Sequence, residues 1–139
     1  MQFKKFIIVF LLPYLFLIAC STGSALNINQ SEIEYIEITF FKEFAERNTE
    51  HYKTIRKSED IKIFIDAINT SKPINGDVDM PKGDYNLELK FKNGTVDVFH
   101  LWIPKDNNPY GTLINKENTA EAYQINKKTA EQIRTIVLK

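Results

Sequence analysis

Apolar and polar residues alternate on both sides of Asn93-Gly94, in the run DYNLELKFKNGTVDVFHLWI from Asp84 to Ile103. Such alternation marks strands with one covered face. Asn-Gly supplies the positive φ angles of a two-residue type I′ turn. That turn sets Lys92 opposite Thr95, Lys90 opposite Asp97, Leu87 opposite His100 and Tyr85 opposite Trp102. One face of the hairpin then carries Tyr85, Leu87, Leu89, Phe91, Val96, Val98, His100 and Trp102. The other carries Asn86, Glu88, Lys90, Lys92, Thr95 and Asp97, with Lys90 and Asp97 as a favourable cross-strand pair. Phe99 and Leu101 interrupt the polarity of that second face. They are either covered by another element or form an exposed apolar spot.

Two segments show helical spacing instead. Ile61, Phe64, Ile65 and Ile68 fall at i, i+3, i+4 and i+7, one buried stripe. Ser58 is placed to cap this helix, Glu59 and Asp60 suit its positive start, and Pro73 ends it. Near the C-terminus Asn126 caps a second helix, with Ala130, Ile133, Ile136 and Val137 inward and Ile125 stapled on Ala130. Further strands are expected at Glu32 to Phe41, Tyr52 to Ile55, Thr112 to Asn115 and Glu121 to Ile125. The order β-β-α-β-β-β-β-α predicts an α+β fold: a small, mostly antiparallel sheet of about five to six strands with two helices packed on one face.

The N-terminus follows a different pattern. Lys4 and Lys5 precede a 14-residue apolar run from Phe6 to Ala19, broken only by Pro13. A spanning helix needs about 20 residues, so the run reads as a secretory signal. It ends in Leu17-Ile18-Ala19-Cys20, and Cys20 is the only cysteine in the chain. This tetrapeptide resembles the lipobox of bacterial lipoproteins. The resemblance implies cleavage before Cys20 and a diacylglyceryl group on its sulfur, with the new amino terminus open to acylation. Buried acyl chains contribute about 0.8 kcal/mol per methylene, and two or more hold firmly. The expected organisation is a lipoprotein signal peptide at 1–19, a lipidated Cys20 with a flexible tether at 20–30, and one domain at 31–139. The localisation that follows is the cell membrane, lipid-anchored, on the extracytoplasmic side.

Charge narrows the partners. Losing the signal removes Lys4 and Lys5 and leaves 16 basic against 18 acidic residues. That balance argues against nucleic acid as a partner. With one cysteine no disulfide can form within the chain.

Asp84-Tyr85, Asn93-Gly94-Thr95, His100-Leu101-Trp102, Gly111-Thr112-Leu113 and Tyr123 make the domain from about Ile33 to Leu138 similar to the YhfM-like domain. That is an uncharacterised domain of small lipoproteins from Bacillus-type Gram-positive bacteria. The resemblance implies an envelope lipoprotein facing outward and transfers no activity or site. The segment from Phe41 to Lys57 matches the pattern poorly.

Candidate chemistry is sparse. His100 could act as acid, base or ligand only with a partner, and otherwise bonds a backbone carbonyl at the sheet margin. His51 is the only other histidine, short of the three or four clustered ligands zinc needs. Asp77, Asp79 and Asp84 sit in one loop, but Pro81 and Lys82 break the calcium-loop pattern. No G-x-S-x-G elbow or glycine-rich phosphate loop occurs. No catalytic residue, metal or cofactor is therefore assigned. Trp102 and Tyr110 flank the polar loop 104–111 and form the candidate binding surface. On sequence alone the protein is expected to be no enzyme. It reads as a non-catalytic module binding an envelope protein, peptide or glycan. The alternatives are a structural or inhibitory envelope protein acting on a membrane enzyme or sensor, then a small hydrolase.

Overall fold

The computed structural model describes residues 26–44, 50–76 and 79–139. The expected signal peptide at 1–19, Cys20 and Asp77 lie outside these described residues.

In chain order the elements are β1 (Ile33–Phe40), β2 (His51–Ile55), α1 (Ser58–Thr70), β3 (Lys72–Pro73), β4 (Tyr85–Phe91), β5 (Val96–Trp102), β6 (Gly111–Asn115), β7 (Asn118–Ile125) and α2 (Lys127–Leu138). All strands join one antiparallel sheet of seven, ordered β2-β1-β4-β5-β6-β7-β3. The expected five to six strands are therefore corrected to seven. The strand without a sequence signal is β3, which is only two residues long and ends in a proline. Neither alternation nor β-propensity can be read from so short a stretch.

The central hairpin also departs from its predicted register. Its loop has three residues, Lys92, Asn93 and Gly94, instead of two. Gly94 N–H donates to the Phe91 carbonyl at 2.9 Å, and Phe91 N–H to the Thr95 carbonyl at 3.0 Å. Only Gly94 takes a positive φ, +87°, whereas a type I′ turn would require it of Asn93 as well. Asn93 instead uses Oδ1 to accept from Thr95 N–H at 2.9 Å, bracing the loop. The extra residue shifts the pairing by one. Leu87 now faces Phe99, Asn86 faces His100, and Tyr85 faces Leu101. A one-residue slip moves every side chain of one strand to the other face. Phe99 and Leu101 thereby join Leu87 and Leu89 in the core, while His100 and Trp102 move to the face of Asn86. The predicted Lys90–Asp97 pair is lost. Lys90 instead contacts Glu88 at 2.6 Å and Glu37 at 3.3 Å.

Both helices contribute to one core against this sheet. Phe64, Ile65 and Ile68 of α1 and Ala130, Ile133 and Val137 of α2 cluster with Ile36, Leu89, Phe99 and Leu101. Lys57, not Ser58, is the N-cap of α1 and makes no side-chain cap bond. Asn126 does cap α2, its Oδ1 accepting from Thr129 N–H at 3.0 Å. Asn126→Ala is expected to destabilise the domain by about 1 kcal/mol. An unchanged urea midpoint would show that this cap contributes nothing. At the other end of α2, Lys53 Nζ donates to the carbonyls of Ile136 and Val137 at 2.8 and 3.1 Å. A cation there satisfies orphan carbonyls and suits the negative helix end.

The chain ahead of β1 is folded onto the domain. Leu26 and Ile28 pack against the main core. The Asn69 amide grips Ile28 by both backbone groups: Ile28 N–H donates to Oδ1, and Nδ2 donates to the Ile28 carbonyl, each at 2.8 Å. Gln30 then reaches the Ser58 carbonyl at 3.1 Å.

Candidate functional site

The sheet face away from the helices holds a buried polar strip. Its central residue is His100, which has no exposed surface. The hairpin register places Asn86 directly opposite it, and Asn86 is also buried. His100 Nδ1 lies 2.8 Å from Asn86 Oδ1. The Asn86 amide is oriented by its other end: Nδ2 donates to Thr39 Oγ1 at 3.3 Å and to the Phe40 carbonyl at 3.4 Å. An oxygen facing Nδ1 can only accept, so Nδ1 carries the proton. Nε2 then holds the lone pair. It has no hydrogen-bond partner of proper geometry among the described residues.

Aromatic rings roof the imidazole. Phe41 and Phe44 meet it edge to face, with centroids at 4.9 and 5.2 Å. Both rings also lie beside Trp102, at 6.3 and 6.2 Å. The close fit extends to Gly83, where a Cβ would stand 3.0 Å from the Phe41 ring. Next to the strip, Trp102, Ile114 and Ala122 form a small second core with Ile74 and Met80.

Burial pushes the His100 pKa below its ordinary value, and the nearby Lys116 cation adds to this. The Phe44 backbone carbonyl favours protonation and offsets part of the shift. The imidazole is thus neutral at pH 7 and can serve as a proton acceptor through Nε2. The depressed value also carries a stability consequence. As pH falls below about 6.5, the unfolded chain binds a proton at this position that the folded chain refuses. Stability is full above that pH and is lost as pH falls towards the folded pKa. His100→Gln is expected to flatten this slope in urea titrations taken between pH 7 and pH 5. An equal slope in both proteins would remove His100 as its source.

Other sequence candidates are placed as follows. Trp102 is buried, and its Nε1–H donates to the Pro81 carbonyl at 3.1 Å. Tyr110 stands exposed on the loop after β5. Asp84 is engaged in holding that loop, accepting from Ile103 N–H at 3.0 Å and pairing with Lys105 at 2.9 Å. No group of three or more metal-type side chains occurs among the described residues. No described helix is long and apolar enough to cross a membrane. Sequence reasoning missed the His100–Asn86 pair because the two-residue turn put these residues on opposite faces. Phe99 and Leu101 were the available signal, since two large apolar residues in a polar row fit the shifted register.

The YhfM protein family model matches residues 32–139. The chain belongs to that family. A search of curated proteins returned no match. Among solved structures, the YhfM-family domain is similar to a thioesterase-like protein from Clostridium sporogenes, at 17% identity and a TM-score of 0.61. The match covers 78% of this chain and 97% of that one. At this identity the likeness is one of fold. It nevertheless corrects two expectations, the non-catalytic binding module and the absence of enzymatic character. Both rested on finding no paired chemical groups in the sequence. The fold is shared with a thioesterase-like protein, and the corrected register pairs a buried histidine with an orienting amide.

Proposed function

We propose that this YhfM-family protein is a lipid-anchored extracytoplasmic hydrolase that cleaves acyl esters or thioesters. The anchor reading is supported by the charged start, the short apolar run and Leu17-Ile18-Ala19-Cys20. It divides the chain into a signal at 1–19 and a mature protein from Cys20, acylated on its sulfur.

One observation carries the chemical reading: a buried neutral imidazole whose Nδ1–H is fixed by Asn86 and whose Nε2 is left free to accept a proton. Outward rotation of Phe44, already 39% exposed, admits water and a carbonyl to Nε2. His100 takes a proton from the water as its oxygen bonds to the acyl carbon. The imidazolium then returns that proton to the departing thiolate or alkoxide, releasing a carboxylic acid and a thiol or alcohol. Asn86 is a positioning residue, holding the ring in the tautomer this requires. The shared fold with a thioesterase-like protein from Clostridium directs the choice of substrate.

The test uses the detergent-extracted full-length protein with p-nitrophenyl acyl esters and acyl-pantetheine thioesters. Hydrolysis that His100→Gln removes supports the reading. No turnover by the wild type on either series, or equal turnover in the variant, overturns it. The anchor is tested separately by labelling cells with a fatty-acid analogue. Label lost in Cys20→Ala supports it, and an unlabelled wild type refutes it.

A further inference from the structure

We propose that the domain presents one chosen end to the phospholipid surface, the end holding the last turn of α1, and that the grip of Asn69 on Ile28 fixes this orientation. The proposal rests on the lipid-anchor reading above. Asn69 sits in the last turn of α1 and takes both the N–H and the C=O of Ile28, as a neighbouring strand would. Leu26 and Ile28 are packed against the main core. Six residue steps separate Leu26 from Cys20. Covalent geometry limits those six residue steps to about 20 Å. From Ile28 the chain runs back along α1, since Gln30 already reaches Ser58 at its start. The helix has 13 residues, a length of about 20 Å. The attachment point therefore lies at one end of the domain, about a helix length from the other.

Residues 67–76 contain one lysine, Lys72, and no carboxylate. Thr70 and Lys72 there are exposed. The far end, around the start of α1 and the β4–β5 loop, carries both signs: Glu32, Glu34, Glu59 and Asp60 beside Arg56, Lys57 and Lys92. A negative leaflet attracts the Lys72 ammonium, which no carboxylate within residues 67–76 offsets.

Sheet register sets the position of the histidine. Lys72 is level with Gln124, Gln124 with Thr112, and Thr112 with Trp102. Trp102 and its neighbour His100 therefore lie towards the near end, about 14 Å across the sheet from Lys72. Any substrate they receive is met close to the lipid headgroups.

The anchored protein can be tested directly, because acylation consumes the thiol of the sole native cysteine. Thr70→Cys and Lys92→Cys each introduce one labelling site, at the near and far ends. Fluorophores there are read in the acylated full-length protein on vesicles of phosphatidylglycerol and phosphatidylcholine with nitroxide headgroups. Stronger quenching at position 70 than at 92 is expected, with the difference reduced in Asn69→Ala. A Gly-Ser insertion after Ser24 lengthens the leash without touching the domain and is expected to reduce it too. Equal quenching at both positions, stronger quenching at 92, or indifference to the insertion overturns the orientation in a protein whose mass shows the acyl group. A mass without that group overturns the anchor reading, and the orientation with it.

Discussion

Phe99→Ala is expected to destabilise the domain by about 3–5 kcal/mol, the range for removing a buried aromatic ring. Phe99 is 1% exposed and packs among residues of the sheet and both helices. Its removal loses transfer energy and leaves a void that the surrounding core fills only in part. The contrast with Val96 makes the experiment specific to register. Val96, in the same strand, is 37% exposed, and Val96→Ala is expected to cost well under 1 kcal/mol. The type I′ register would put Val96 in the core row and Phe99 opposite it. Urea unfolding of the two variants separates these arrangements. A small loss at Phe99 beside a large one at Val96 would reject the three-residue loop.

The second large effect is on turnover. His100→Gln is expected to lower ester or thioester hydrolysis by about 10²–10⁴-fold, the usual contribution of a positioned general base. Glutamine retains a polar group for Asn86 to bond but cannot accept a proton at neutral pH. The fold therefore has little reason to fail, and coincident urea midpoints would show that it has not. Asn86→Leu should act on the same step indirectly, freeing the ring to adopt the other tautomer. Restoring part of the rate with Asn86→Asp, which still accepts from Nδ1–H, would mark the role as positioning. A histidine retained only for packing would give equal rates in all these proteins.

Much of the fold is legible in the sequence where a pattern repeats. The α1 stripe repeats over two turns, and Ile61, Phe64, Ile65 and Ile68 are all buried. The Asn126 cap is a local interaction between residues three apart, and it too is readable. The hairpin shows where legibility ends. Asn-Gly is compatible with a two- or a three-residue loop, and period-two alternation looks the same in either register. Only burial of Phe99 and Leu101 against distant helices decides between them. Because His100 and Asn86 meet through that register, the candidate site was hidden by the same ambiguity. Strand β3 was hidden for another reason, since its pairing with Gln124 and Tyr123 is long-range and leaves no local signature.

Short as it is, β3 shapes what the sheet can do when copies are crowded. An unprotected border strand offers a ladder on which other chains can polymerise. Here the border beyond β7 is finished by two residues, the second being Pro73, which has no amide hydrogen to offer an incoming backbone. Fibre-like growth from that side is blocked by one imino acid, so crowded copies can collide there without zipping together.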